Sequence, residues 1–215
     1  LVKNDILNVE FHSILQPTLN PIDGSYVEMI NEAMDLIESN QFRALVIGNE
    51  GPNFSAGANL NLLLELSQQE EWDALEYAVK KFQDLSQRIR FCSGPVVAAP
   101  FQLTLGGGVE IVQPAAHRVA AAETYMGLVE VGVGLIPGGG GNLRMILNAL
   151  DSNTGRMGAF QKIKNTFEII GFAKIAKSAE EAKKLGYLNS NDTIVLNRSH
   201  LLKVAKDKAI ELSKD

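Results

Sequence analysis

Two glycine-dense apolar segments constrain this chain more than any other feature. The first reads Leu105-Gly106-Gly107-Gly108-Val109-Glu110, and the second runs from Glu130 through Gly132, Gly134 and Pro137 to Gly138-Gly139-Gly140-Gly141. Each is apolar apart from one carboxylate, so Glu110 and Glu130 are expected to point into poorly hydrated space. Burial raises a carboxyl pKa, and two neighbouring carboxylates push their values further apart. One can then act as base and the other as acid near neutral pH. Glycine lets backbone N–H groups come close to a substrate. Acid, base and backbone donors are the parts needed to work on a carbon next to a carbonyl.

Around these segments, short strand and helix patterns alternate. Ile6 to Phe11 alternates as a strand. Ser25 and Glu28 have capping-box spacing and open a helix with Val27, Ile30, Met34 and Ile37 on one face. Ala44 to Ile47 reads as a buried strand. Ser67 and Glu70 repeat the capping spacing ahead of a long helix carrying Trp72, Leu75, Val79, Phe82, Leu85 and Ile89. Pro95 to Pro100 and His117 to Ala121 read as strands, and Gly138 to Gly141 precedes another helix. Phe160 to Ile170, a short helix capped by Ser178, and Leu201 to Leu212 make the last third largely helical. The expected class is α/β, one domain over 1–215, with a core over 1–150 and a helical appendage over 151–215.

Composition excludes several classes. The chain has 215 residues and a net charge of −5, which argues against a nucleic-acid or polyanionic membrane partner. No signal peptide or membrane-spanning stretch is visible. Cys92 is the single cysteine, so no intrachain disulfide can form, and a reducing, cytoplasmic setting is expected. His12, His117 and His200 share no ligand spacing, so no metal site is expected. Arg144 and Arg156 read as solvated or helix-capping, with a phosphate contact as the alternative. The chain begins with Leu1, which suggests a piece of a longer protein.

The triple glycine before Glu110 can hold a phosphate or an oxyanion, or can simply permit close helix–strand packing. No Gly-Lys-Ser/Thr ending follows, and Gly132-x-Gly134-x-x-Pro137 breaks the dinucleotide fingerprint. A third segment, 53–60, follows a strand and can bring a second N–H to face the triple glycine.

In this order and spacing the segments resemble the crotonase superfamily of enoyl-CoA hydratases and isomerases. Phe54-Ser55-Ala56-Gly57-Ala58-Asn59-Leu60 is similar to its first oxyanion motif. Pro95 to Ala99 running into Leu105 to Glu110 is similar to the second, and Glu130 with Gly134-x-Ile136-Pro137-Gly138 to the third. The stretch 169–188 resembles the hydratase part of chains fused to a 3-hydroxyacyl-CoA dehydrogenase. Pro17 stands where many members carry lysine, and Asn59 where aspartate is commoner.

The resemblance implies the crotonase-like (ClpP/crotonase) fold of repeated ββα units with a helical C-terminal region. It assigns the oxyanion hole to the N–H groups of Ala58 and Gly107 and catalysis to Glu110 and Glu130. It places Ser55, Ala56, Asn59, Leu60 and Gly138 along the CoA-bearing substrate. The implied activity is syn addition of water to a 2-enoyl-CoA in fatty-acid β-oxidation, with no cofactor beyond the CoA of the substrate. Implied partners are an acyl-CoA thioester, a linked or associated dehydrogenase and further copies of the chain. Alternatives are an enoyl-CoA isomerase and a non-catalytic acyl-CoA-binding domain.

Overall fold

The computed structural model describes residues 2–3, 5–151 and 157–214. Among these, the elements follow as β1 (Val2–Lys3), β2 (Ile6–Glu10), α1 (Gly24–Glu38), β3 (Ala44–Gly48), α2 (Leu60–Gln68), α3 (Trp72–Phe91), β4 (Val96–Ala98), β5 (Gln102–Leu105) and α4 (Gly107–Val112). The remainder are β6 (His117–Ala121), β7 (Thr124–Gly127), α5 (Gly141–Asp151), α6 (Ala159–Gly171), α7 (Ala179–Leu185), β8 (Thr193–Val195) and α8 (Leu201–Leu212). A 3-10 turn at Glu130–Val133 lies between β7 and α5.

The larger sheet has the order β1-β2-β3-β4-β6-β8 and is parallel except where β1 meets β2. Every residue of β3, β4 and β6 is buried. Parallel strands covered on both faces lose the polar–apolar alternation of half-exposed ones, which explains the unbroken runs Ala44 to Ile47 and Val96 to Ala99. Helices α1 and α8 pack on this sheet. The fit is tight enough that a Cβ on Gly48 would meet Leu202 Cδ2 at 2.7 Å.

The smaller sheet pairs β5 with β7, in register from Gln102↔Thr124 to Leu105↔Gly127. Isolated bridges extend it on both sides: Ile22↔Ala58, Ser55↔Thr104 and Met126↔Ala176. Each contributor up to β7 follows a strand of the larger sheet: Ile22 follows β2, residues 55–58 follow β3, β5 follows β4 and β7 follows β6. This is the expected strand–strand–helix repeat. The short second strands β5 and β7 are additions to the sequence reading. They are four residues each and carry too little periodicity to stand out.

Three expectations need correction. Helix α1 is capped by Asp23, whose carboxylate accepts the Tyr26 N–H at 3.0 Å, while Ser25 merely donates to Asp23 at 2.6 Å. Ser67 does not open the long helix. It lies inside α2, which Asn59 caps, and the chain turns at Glu70 (φ 59°) before α3 begins at Trp72. The last third is largely helical, as expected, but it is joined to the core, because β8 pairs in parallel with β6 and α8 packs across the sheet. A buried ion pair ties this part in: Arg118 Nη2 lies 2.8 Å from Asp192 Oδ2, with side chains 4% and 1% exposed. The Asp192 carboxylate also accepts the N–H groups of Arg118 and Asn189.

Candidate active site

The segment 55–58 and the β5–α4 junction bring two free donors together. Ser55 is fully buried; its N–H bonds Leu103 O and its carbonyl accepts the Leu105 N–H, which pins the segment to β5. Its hydroxyl accepts the Gly57 N–H at 3.1 Å, so the side chain serves the turn. Gly57 O accepts the Ile22 N–H, and Asn59 N–H donates to Ile22 O. Successive peptide groups in extended chain face opposite ways. The Ala58 N–H therefore points away from Ile22, toward α4.

Gly107 waits on that side. A Cβ at Gly107 would sit 3.4 Å from the Ala58 nitrogen, and one at Gly57 would sit 3.3 Å from the Gly107 nitrogen. Among the described residues neither N–H donates to a protein acceptor. The junction depends on Gly106, held at φ 51° and ψ −124° with its N–H on Gly127 O at 2.8 Å. This backbone disfavours any side chain, and a Cβ there would meet Glu130 Oε1 at 3.2 Å. The Glu130 carboxyl thus lies one residue from the Gly107 donor.

The two carboxylates are held in different ways. Glu110 Oε1 accepts the N–H groups of Gly139 and Gly141, each at 2.8 Å. Burial raises its pKa and these backbone bonds partly offset the rise. Both Glu130 carboxyl oxygens are buried without a hydrogen-bond partner. Burial, reinforced by the Glu110 charge, pushes Glu130 up to about 7. The Glu110 charge therefore reaches Glu130.

The remaining predicted residues have the following surroundings. Ala56 N–H bonds Leu19 O at 2.8 Å. The Asn59 side chain accepts the Leu62 N–H, so this asparagine is the cap of α2. Leu60 is exposed on that helix, of which no residue is buried. Gly138 is exposed and its carbonyl accepts from Gln83 Nε2 at 2.8 Å. Arg144 differs from its solvated reading: it is 8% exposed, Nη2 has no partner, and burial lowers its pKa. Arg156 lies outside the described residues. The histidines stay apart: His117 Nε2 is 2.9 Å from Thr193 Oγ1, His12 lies beside Glu10, and His200 precedes α8.

Sequence reasoning missed Phe82. Its ring reaches across from α3, with Cζ 3.3 Å from where a Gly107 Cβ would stand and Cε1 2.3 Å from a Gly139 Cβ. It lies against both Gly107 and the loop that holds Glu110. In the sequence it was one more apolar residue on a helix face.

Comparisons with known proteins bear on the family and the fold. A family model described as enoyl-CoA hydratase/isomerase matches residues 15–188. A Bacillus subtilis (strain 168) protein named "Probable 3-hydroxyacyl-CoA dehydrogenase" is 43% identical over 209 residues, 97% of this chain and 26% of that relative. The fatty acid oxidation complex subunit alpha of Aliivibrio fischeri is 36% identical over 132 residues, 59% of this chain and 19% of the relative. This chain thus spans about a quarter or less of these relatives' length. Among solved structures, an enoyl-CoA hydratase from Polaromonas sp. JS666 superposes with a TM-score of 0.80 at 22% identity, over 99% of this chain and 76% of that one. One from Bacillus anthracis gives 0.79 at 24%, over 100% and 75%. The fold is therefore the expected crotonase fold. No helix among the described residues is long and apolar enough to cross a membrane. With the family model matched from residue 15 to residue 188, this chain belongs to the enoyl-CoA hydratase/isomerase family.

Proposed function

We propose that this domain hydrates 2-enoyl-CoA thioesters. The observation that carries the reading is the pair of unpartnered N–H groups on Ala58 and Gly107, side by side with the Glu130 carboxyl at their edge. The thioester carbonyl oxygen docks between the two donors. Charge gathers on that oxygen as water adds at the β-carbon, so the donors bind the enolate-like state more tightly than the substrate. One such donor is worth about 3–4 kcal/mol.

Glu110 takes the proton from the attacking water, and Glu130 delivers one to the α-carbon. A Glu130 pKa of about 7 keeps much of this group protonated at neutral pH, as an acid requires. Both carboxyls lie on one side of the substrate, so addition is syn. Ser55, Ala56, Asn59, Leu60 and Gly138 border the path of the CoA moiety. The scheme uses no cofactor beyond the CoA of the substrate.

In the longer chains its relatives represent, the 3-hydroxyacyl product is the substrate class named for a 3-hydroxyacyl-CoA dehydrogenase. We infer that the full protein joins these two steps in the cytoplasm. Exposed apolar side chains on α5 and α6, among them Leu147, Leu150, Phe160 and Phe167, support packing against another copy or a linked domain.

Mixing the protein with crotonyl-CoA and following the absorbance of the conjugated thioester tests the reading. Hydration predicts loss of absorbance; binding without loss favours a non-catalytic domain. Glu110→Gln should lower turnover by about 10²–10⁴-fold while crotonyl-CoA still binds. Full turnover in that variant would refute the role of Glu110 as the base; loss of hydration with retained isomerisation of a 3-enoyl-CoA would put isomerisation by Glu130 alone in front.

A further inference from the structure

Tyr187 is completely buried just beyond α7, on the C-terminal side of the site. Its hydroxyl donates to Lys174 O at 2.7 Å and accepts the Leu128 N–H at 3.4 Å. Leu128 is the first residue after β7 and stands two before Glu130. Along one edge, β7 is fixed by β5 and by the Gly106 N–H on Gly127 O. Along the other edge it is fixed by the reciprocal bonds between Met126 and Ala176, at 3.1 and 2.8 Å. That pairing ends at Met126, so the Tyr187 hydroxyl is the next tie on this side as the chain leaves the sheet toward Glu130.

Leu128 also reaches the other carboxylate. Its Cδ2 would lie 2.9 Å from a Cβ on Gly141, whose N–H holds Glu110 Oε1 at 2.8 Å. One buried residue thus borders both halves of the site: its backbone leads to Glu130 and its side chain backs the glycine that holds Glu110. Among the described residues, no group from another element bonds the Glu130 carboxyl; the N–H groups that act on it are those of its own segment, Val129 and Glu130. Its placement rests on the path of the backbone that carries it.

We propose that Tyr187 is a positioning residue of this site, its hydroxyl fixing the Leu128–Glu130 backbone and thereby aiming the Glu130 carboxyl at the space beside the Ala58 and Gly107 donors. The role rests on the acid–base reading of Glu130 given above. Tyr187 does not touch the substrate; it acts through Leu128.

Tyr187→Phe removes the hydroxyl and keeps the ring packing. With crotonyl-CoA, kcat should fall about tenfold, the rate equivalent of one lost hydrogen bond, while KM stays within about twofold. The groups coupled to Glu130 are Glu110 on α4 and Tyr187 itself. A Glu130 carboxyl released from its buried place gains water, so the alkaline limb of the kcat/KM profile should move to lower pH. A purely structural role would lower the amount of active protein and leave the limb in place, and that result overturns the proposal. A second measurement needs no turnover: 13C NMR of the glutamate side-chain carboxyls of the folded protein follows Glu130 directly. Its titration midpoint should fall in Tyr187→Phe relative to the unsubstituted protein. An unchanged midpoint refutes the positioning role, whereas inactivity of the unsubstituted protein toward crotonyl-CoA, with a shifted midpoint, refutes only the hydratase reading.

Discussion

Replacing Glu130 by glutamine should make the protein more stable at alkaline pH relative to the parent, and the gain should vanish in acid. Glu130 is half-buried, both its carboxyl oxygens lack partners, and its pKa rises from 4.5 to about 7. Below about pH 4.5 the group is protonated in both the folded and unfolded chain and has no effect on their balance. As pH rises toward 7 the unfolded chain gives up this proton more readily, so folding stability falls. Above about pH 7 the full penalty persists. The gap between the two values corresponds to about 3.4 kcal/mol at 1.36 kcal/mol per pH unit, of which about 2.5 develops between pH 5 and pH 8. Partial solvent access screens the charge and reduces this to about 1–2 kcal/mol. Urea denaturation of the parent and of Glu130→Gln at pH 5 and pH 8 gives the four free energies needed. The amide brings its own unsatisfied groups, but their effect is the same at both pH values and cancels in the difference. A stability difference that does not change with pH would show that Glu130 titrates normally, and would remove the reason to treat it as an acid at neutral pH.

Two further substitutions probe the scaffold. Asp192→Ala leaves the Arg118 guanidinium buried without its counter-ion and should destabilise the fold by about 3–5 kcal/mol, read as a drop in the urea midpoint; a loss under 1 kcal/mol would mean that water reaches Arg118. Gly139→Ala puts a methyl 2.3 Å from the Phe82 ring and 2.8 Å from Glu110 Oε2. It should destabilise by about 1–3 kcal/mol and lower kcat, and its cost should be smaller in a Phe82→Ala background, where the ring clash is gone and the Glu110 contact remains.

The sequence was most legible where one local rule decides the outcome. Ser178 caps α7 and Gly186 ends it in the left-handed conformation, because a hydroxyl acceptor and a residue without Cβ are what helix ends require. The buried runs Ala44 to Ile47 and Val96 to Ala98 are strands because a covered parallel sheet accepts apolar side chains on both faces. Where two rules competed, spacing alone misled. Ser25 and Ser67 both satisfy the capping pattern, yet Asp23 caps α1, and Ser67 lies inside α2 while α3 starts at Trp72 without a side-chain cap, since only the folded path of the chain shows which side chain faces the free N–H groups.

By itself, the sequence determined that two carboxylates accompany glycine-rich apolar segments, and through its motifs it determined the family. Tertiary structure alone decided how those carboxylates differ. The Glu110 carboxylate is held by two N–H groups from a loop about thirty residues away, while both Glu130 carboxyl oxygens are buried without a partner. It also decided that Phe82 on α3 lies against Gly107 and Gly139, and that the Tyr187 hydroxyl, beyond α7, accepts the Leu128 N–H. The reason is physical: a pKa and a free N–H depend on what surrounds a group in space, and these surroundings come from segments far apart along the chain.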